Sequence, residues 1–129
     1  MEKRKLEQFC VDWLNAWNGN KPEKLIQFYA KDAYYQDPAN PTGLKGRPAI
    51  LSYFRKLLSK NPDWQWKLDE LYPTSNGFVL KWNAEIPIQN ENINTVGMDI
   101  LELNGGKITR NEVYFDRTLM LEKLRQLED

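Results

Sequence analysis

The sequence predicts an α+β fold, with three N-terminal helices packed on one face of a curved, mostly antiparallel sheet. Three observations predict it. Apolar residues in the N-terminal half recur at spacings of three and four, the period of an amphipathic helix. From Trp64 onward apolar and polar residues alternate, as in half-buried strands. Turn signals, Asn76-Gly77 and Asn104-Gly105-Gly106, separate the alternating runs. Helices first and strands after leave the helices on one face of an antiparallel sheet.

In order along the chain, Leu6, Phe9, Cys10, Trp13 and Trp17 form the apolar stripe of a first helix, which Asn18-Gly19-Asn20 ends. Asn20 is placed to cap a second helix, with Pro22 in its first turn and Glu23 completing a capping box. That helix carries Leu25, Ile26, Phe28 and Tyr29. A short strand runs to Asp37, and the stretch from Pro38 to Gly46, with two Pro and two Gly, reads as a loop. A third helix opens near Pro48 and presents Ile50, Leu51, Phe54, Leu57 and Leu58. Trp64, Trp66 and Leu68 begin a strand on an open face or a subunit interface. Phe78, Leu80, Trp82, Ala84 and Ile86 alternate along the next strand, after a hairpin at Asn76-Gly77. A strand from Ile93 to Leu103, another from Lys107 to Asp116, and a closing helix bearing Met120, Leu124 and Leu127 complete the order. Asp116 is read as the cap of that helix. Val96, Met98 and Ile100 give the Ile93–Leu103 strand a second apolar side, suited to a second subunit.

Composition bounds the function. The 129 residues, with no linker or repeat, read as one domain. Eighteen basic and eighteen acidic residues cancel, which argues against nucleic acid as a partner. No stretch reaches the roughly 18 apolar residues of a membrane span, and no apolar segment follows the charged N-terminus as in a signal peptide. The one cysteine, Cys10, reads as a buried free thiol, and a cytoplasmic location is expected. Histidine is absent. No Ser-His-Asp or Cys-His arrangement can form within the chain, and a zinc or copper site is not expected. Acid–base work would fall to Asp, Glu, Tyr, Lys or water, and no cofactor is expected.

Two aspartates sit in phase with apolar strand residues. Asp37 shares a side with Ala33 and Tyr35, and Asp99 with Leu101 and Leu103. A carboxyl facing an apolar side needs hydrogen-bond partners or a raised pKa. Asp37 and Asp99 are therefore candidates for proton transfer; the alternative is a structural carboxylate bound to backbone or rimming a strand end, a reading that weighs more on Asp99 than on Asp37. Trp13, Trp17, Phe28, Tyr35, Phe54 and Trp82 read as core or pocket wall. Asn111 shares its side with Val113 and Phe115 and reads as a donor facing the pocket.

The motifs Phe28-Tyr29-Ala30-Lys31-Asp32-Ala33 leading to Asp37-Pro38, Gly46-Arg47-Pro48-Ala49-Ile50, Asn61-Pro62-Asp63-Trp64, Gly97-Met98-Asp99, Gly106-Lys107-Ile108 and Tyr114-Phe115-Asp116 occur in an order that resembles the SnoaL-like group of the NTF2-like superfamily. That superfamily includes ketosteroid isomerase. The resemblance implies a cone-shaped α+β barrel with an apolar pocket between helices and sheet, often dimeric, and no single reaction. It places Asp37 where the isomerase has its general base and Asp99 where it has a carboxylic acid in the oxyanion hole. Trp13 stands where that hole has a Tyr. Limonene epoxide hydrolase and SnoaL-type polyketide cyclases are also similar. The hydrolase acid of the last strand would fall at Val113, and the cyclases use a His that this chain lacks.

These readings converge on an apolar or aromatic small molecule as partner, bound in the pocket of a homodimer. The open choices are a cofactor-free acid–base enzyme acting beside a carbonyl, a non-catalytic binding module, and a dimerisation domain whose cavity is filled by its own aromatics.

Overall fold

The computed structural model describes residues 2–127. Helix α1 (Lys3–Asn18) buries Leu6, Cys10, Trp13, Leu14, Ala16 and Trp17, the stripe its spacing dictates. It stops at Gly19, whose N–H donates to the Asn15 carbonyl. The expected second helix is shorter than its apolar pattern suggests. α2 (Pro22–Leu25) is one turn, and it passes into a 3₁₀ turn at Ile26–Phe28. The Asn20 cap does not form. Asn20 adopts φ 54°, and its Nδ2 donates to the Leu58 carbonyl (2.7 Å), tying the turn after α1 to the last turn of the third helix.

Strand β1 (Tyr29–Asp37) buries Tyr29, Ala33, Tyr35 and Asp37. The segment after it is not a loop. Asn40–Lys45 forms β2, an antiparallel edge strand on β1. An edge strand tolerates Pro41 because one row of its backbone groups has no neighbour to bond. Gly43 lies under the Tyr34 ring at φ 83°, and a Cβ there would sit 2.3 Å from that ring. α3 (Arg47–Lys60) starts with Pro48 in its first turn, where a missing N–H costs nothing, and buries Ile50, Phe54 and Leu58.

The remaining strands are β3 (Gln65–Pro73), β4 (Gly77–Ile88), β5 (Glu91–Asn104) and β6 (Lys107–Phe115), followed by α4 (Thr118–Gln126). They form one six-stranded sheet in the order β2-β1-β6-β5-β4-β3. Every neighbouring pair is antiparallel except β1 with β6. The register shifts between β1 and β2, between β3 and β4, and between β5 and β6; such irregularities bend strands and increase twist. α1 lies against β3 and α3 against β1, so the helices cover the concave face. The closing helix starts from Arg117, which makes no side-chain cap; Asp116, expected as the cap, lies one residue farther out, where its Oδ1 accepts the Thr118 backbone N–H (2.9 Å) and hydroxyl (2.6 Å).

Cross-strand register fixes what the concave face presents. Asp99 lies between Leu80 and Val113, and Asn111 between Leu101 and Tyr35. Trp82 lies opposite Gly97. On the outer face Val96, Met98 and Tyr114 stay exposed. Among the described residues no helix is long and apolar enough to cross a membrane.

Candidate functional site

A cavity of about 120 Å³, measured as space open to the centre of a water-sized sphere, lies between the helices and the concave face. One water needs roughly 10–15 Å³ on that measure, so the cavity has room for a small organic molecule. Trp13 and Trp17 come from α1, Tyr53 and Leu57 from α3, and Trp82, Ala84 and Ile86 from β4. Val113 and Phe115 come from β6, and Tyr35 and Asp37 from β1. Asp99 comes from β5, and Trp64, Trp66 and Arg117 also line the space.

Of the residues read from sequence, Trp13, Trp17, Tyr35, Trp82, Val113 and Phe115 line this space together with Asp37 and Asp99. Phe28, Phe54 and Asn111 do not, and each has a physical reason. Phe28 lies in the 3₁₀ turn and packs edge-on against Phe9 (ring centroids 5.6 Å). Phe54 is fully buried behind the wall, edge-on to Trp17, Tyr29 and Tyr35. Asn111 is also fully buried, and both ends of its amide are used internally. The cavity takes in Tyr53, Trp64, Trp66 and Arg117, which sequence reasoning missed or placed elsewhere. Trp64 and Trp66 close the mouth of the cone instead of an outer face, because Asn18 binds the Trp66 backbone at both N–H (2.7 Å) and C=O (2.8 Å). The Leu57/Tyr53 spacing on α3 was the available signal for Tyr53.

The two aspartates differ sharply. Asp37 accepts five hydrogen bonds. The backbone N–H groups of Ala39 (3.0 Å) and Asn40 (2.9 Å) and the Asn40 amide (3.0 Å) donate to Oδ1. The hydroxyls of Tyr35 (2.8 Å) and Tyr53 (2.5 Å) donate to Oδ2. A carboxylate offers about four lone-pair sites, so Asp37 has none left for a ligand unless a donor leaves. Both tyrosines are pushed up in pKa, mainly by burial and then by the Asp37 charge and hydrogen bond, and stay protonated as donors. The Arg117 guanidinium donates to the Pro38 carbonyl (3.2 Å) at this end of the cavity.

Asp99 accepts two. The Trp82 indole N–H donates to Oδ1 (2.7 Å) and the Asn111 amide to Oδ2 (2.8 Å). Two lone-pair sites remain. Burial raises its pKa to about 7; the two donors pull it down and the Asp37 charge adds to the rise. Behind it runs a chain of donors with one polarity. The Trp13 N–H donates to the Tyr29 hydroxyl (3.2 Å), which donates to Asn111 Oδ1 (2.7 Å). With its oxygen engaged, Asn111 must turn its NH₂ toward Asp99. Trp13 therefore spends its only donor inside the wall. Gly97 makes room for the other donor, since a Cβ there would lie 2.2 Å from the Trp82 ring.

Among the described residues no three His, Cys, Asp or Glu side chains converge as metal ligands. What the arrangement can do is bind a small molecule against aromatic walls and exchange a proton or hydrogen bond with it at Asp99.

Solved structures share this architecture. A protein with a ketosteroid isomerase-like fold from Catenulispora acidiphila DSM 44928, in complex with trimethylamine, is 19% identical with a TM-score of 0.79, covering 89% of this chain and 90% of its own. A provisionally assigned SnoaL-like polyketide cyclase from Shewanella putrefaciens CN-32 is 16% identical with a TM-score of 0.80, over 95% and 86%. TerC, co-crystallized with polyporic acid, is 13% identical with a TM-score of 0.78, over 92% and 96%. Among curated proteins none matches significantly. The SnoaL-like domain family matches residues 11–111, most of the chain, and this protein belongs to that family.

Proposed function

We propose that the cone binds a small apolar or aromatic molecule and that Asp99 exchanges protons with it, without a cofactor, beside a carbonyl. The observation that supports this is a buried carboxyl facing an apolar cavity, with two lone-pair sites open and a pKa near neutrality. Neutral Asp99 donates to a carbonyl oxygen, and ionised Asp99 accepts a proton. Asp37 serves as the partner base only when Tyr35 or Tyr53 swings to a ligand and frees a lone pair. That two proteins of similar fold hold trimethylamine and polyporic acid lends support to a small-molecule site.

A second reading is favoured by a specific observation. Asp37 is saturated and the Trp13 donor is tied to Tyr29, so a non-catalytic binder of the same ligand class fits the geometry as well. Hydrogen–deuterium exchange at the α-carbons of cyclohexanone, followed by NMR, separates the two. Acceleration by the wild type that Asp99→Asn and Asp37→Asn both reduce supports the enzyme reading; binding without acceleration leaves the binder.

The reading extends to a homodimer through the outer face that exposes Val96, Met98 and Tyr114, and a monomer mass in sedimentation would end that part. A cytoplasmic location accords with the lone buried thiol of Cys10; targeting of the tagged chain to another compartment would refute it.

A further inference from the structure

All five tryptophans of the chain, Trp13, Trp17, Trp64, Trp66 and Trp82, line the one cavity that holds Asp99. Their rings do not form parallel walls. Trp13 meets Trp17 at 89°, Trp17 meets Trp66 at 54°, Trp64 meets Trp66 at 65°, and Trp82 meets Phe115 at 63°. A flat ring stacks best between parallel faces, whereas steeply inclined rings enclose a rounded space. Indole is the strongest of the aromatic side chains for a cation over its face.

The cavity also has an unmatched charge. Asp99 is hydrogen-bonded only to the neutral donors Trp82 and Asn111, and the charge that acts on it is the like charge of Asp37. The cation in the lining, Arg117, is held at the Asp37 end by the Pro38 carbonyl. The other titratable groups are Cys10 of α1 and Tyr29 of β1, which feel the Asp99 charge, and Tyr35 of β1 and Tyr53 of α3, which line the cavity beside Asp37. Thiols and phenols carry no positive charge, and burial raises all four pKa values, so all four stay neutral.

We propose that this cavity binds a compact alkylated ammonium group, enclosed by the tryptophan faces and neutralised by the Asp99 carboxylate. The inference rests on the reading of the cone as a ligand site and deepens its binder form: an Asp99 paired with a cation is not free to exchange a proton with a carbonyl ligand. Methyl groups on nitrogen satisfy the apolar walls, and the positive charge supplies what Asp99 lacks. When Asp99 starts neutral, the cation displaces its proton to solvent, so affinity rises with pH through about 7.

The test titrates choline and its uncharged carbon isostere, 3,3-dimethylbutan-1-ol, into the wild type and Asp99→Asn at pH 6 and 8. Tryptophan fluorescence reads binding directly. Choline is expected to bind the wild type at least about tenfold tighter than the isostere at pH 8. It should lose about tenfold on going to pH 6, as the ionised fraction of Asp99 falls. The pH dependence should vanish in Asp99→Asn. Should that variant not fold, calorimetry of the wild type in two buffers of different ionisation enthalpy reads the expected proton release instead. Equal binding of choline and isostere overturns the cation inference and leaves the cavity reading standing. So does failure of choline where cyclohexanone still quenches fluorescence. If neither choline nor cyclohexanone binds, both readings fall.

Discussion

Replacing Asp99 by Asn should make the protein more resistant to rising pH. Burial holds the Asp99 carboxyl at about 7 in the folded chain against an ordinary 3.8. Between those values the folded state keeps a proton that the unfolded state has shed, so stability falls as pH rises from about 4 and levels off above about 7. The whole shift is worth about 4 kcal/mol, more than half of it between pH 5 and 8. Asn carries no titration. It also keeps one oxygen for Trp82 or Asn111 and turns an amide toward the other donor, a cost of roughly 1–3 kcal/mol that does not change with pH. The informative quantity is therefore a difference of differences. Urea unfolding of both proteins at pH 5 and 8, followed by tryptophan fluorescence, should show Asn gaining roughly 2–3 kcal/mol on the wild type across that interval. Groups that titrate alike in both proteins cancel. A gain below about 0.5 kcal/mol would refute the assignment of a near-neutral carboxyl to this position.

Two further predictions follow from the donors around Asp99. Gly97→Ala drives a Cβ into the Trp82 ring; it should cost on the order of 1–3 kcal/mol and raise the Asp99 pKa by displacing a donor to its charged form, both read by denaturation across pH. Unchanged stability and titration would mean that the indole has room the geometry does not show. Tyr29→Phe strands the Trp13 N–H and the Asn111 oxygen and should cost roughly 1–3 kcal/mol. Urea midpoints measure it, and a neutral result would show that the relay does not orient Asn111.

Much of the fold was legible because its periods are strong. The alternation from Phe78 to Ile86 and the Leu6–Trp17 stripe left little choice of element or face. The in-phase placement of Asp37 and Asp99 correctly put both carboxyls on the buried side. What was hidden depends on contacts distant in sequence. Asn40–Lys45 carries turn residues yet pairs as an edge strand, because an edge demands less of its backbone. Asn20 has the chemistry of a cap, but the end of α3 offers its amide a carbonyl. The five donors on Asp37 converge from β1, the turn after it and α3, so nothing local told Asp37 from Asp99. Asn111 was read as facing the pocket; parity was right, but Tyr29 and Asp99 claim its amide. Trp64 and Trp66 looked outward until Asn18 was seen to fasten their strand across the cone.

The most direct test of the account is an NMR titration of the aspartate carboxyl carbons, in the free protein and with choline or cyclohexanone bound. The account predicts one resonance with a midpoint near 7, absent in Asp99→Asn and displaced when the cavity is occupied. Aspartates that all titrate below about 5, indifferent to either molecule, would contradict it.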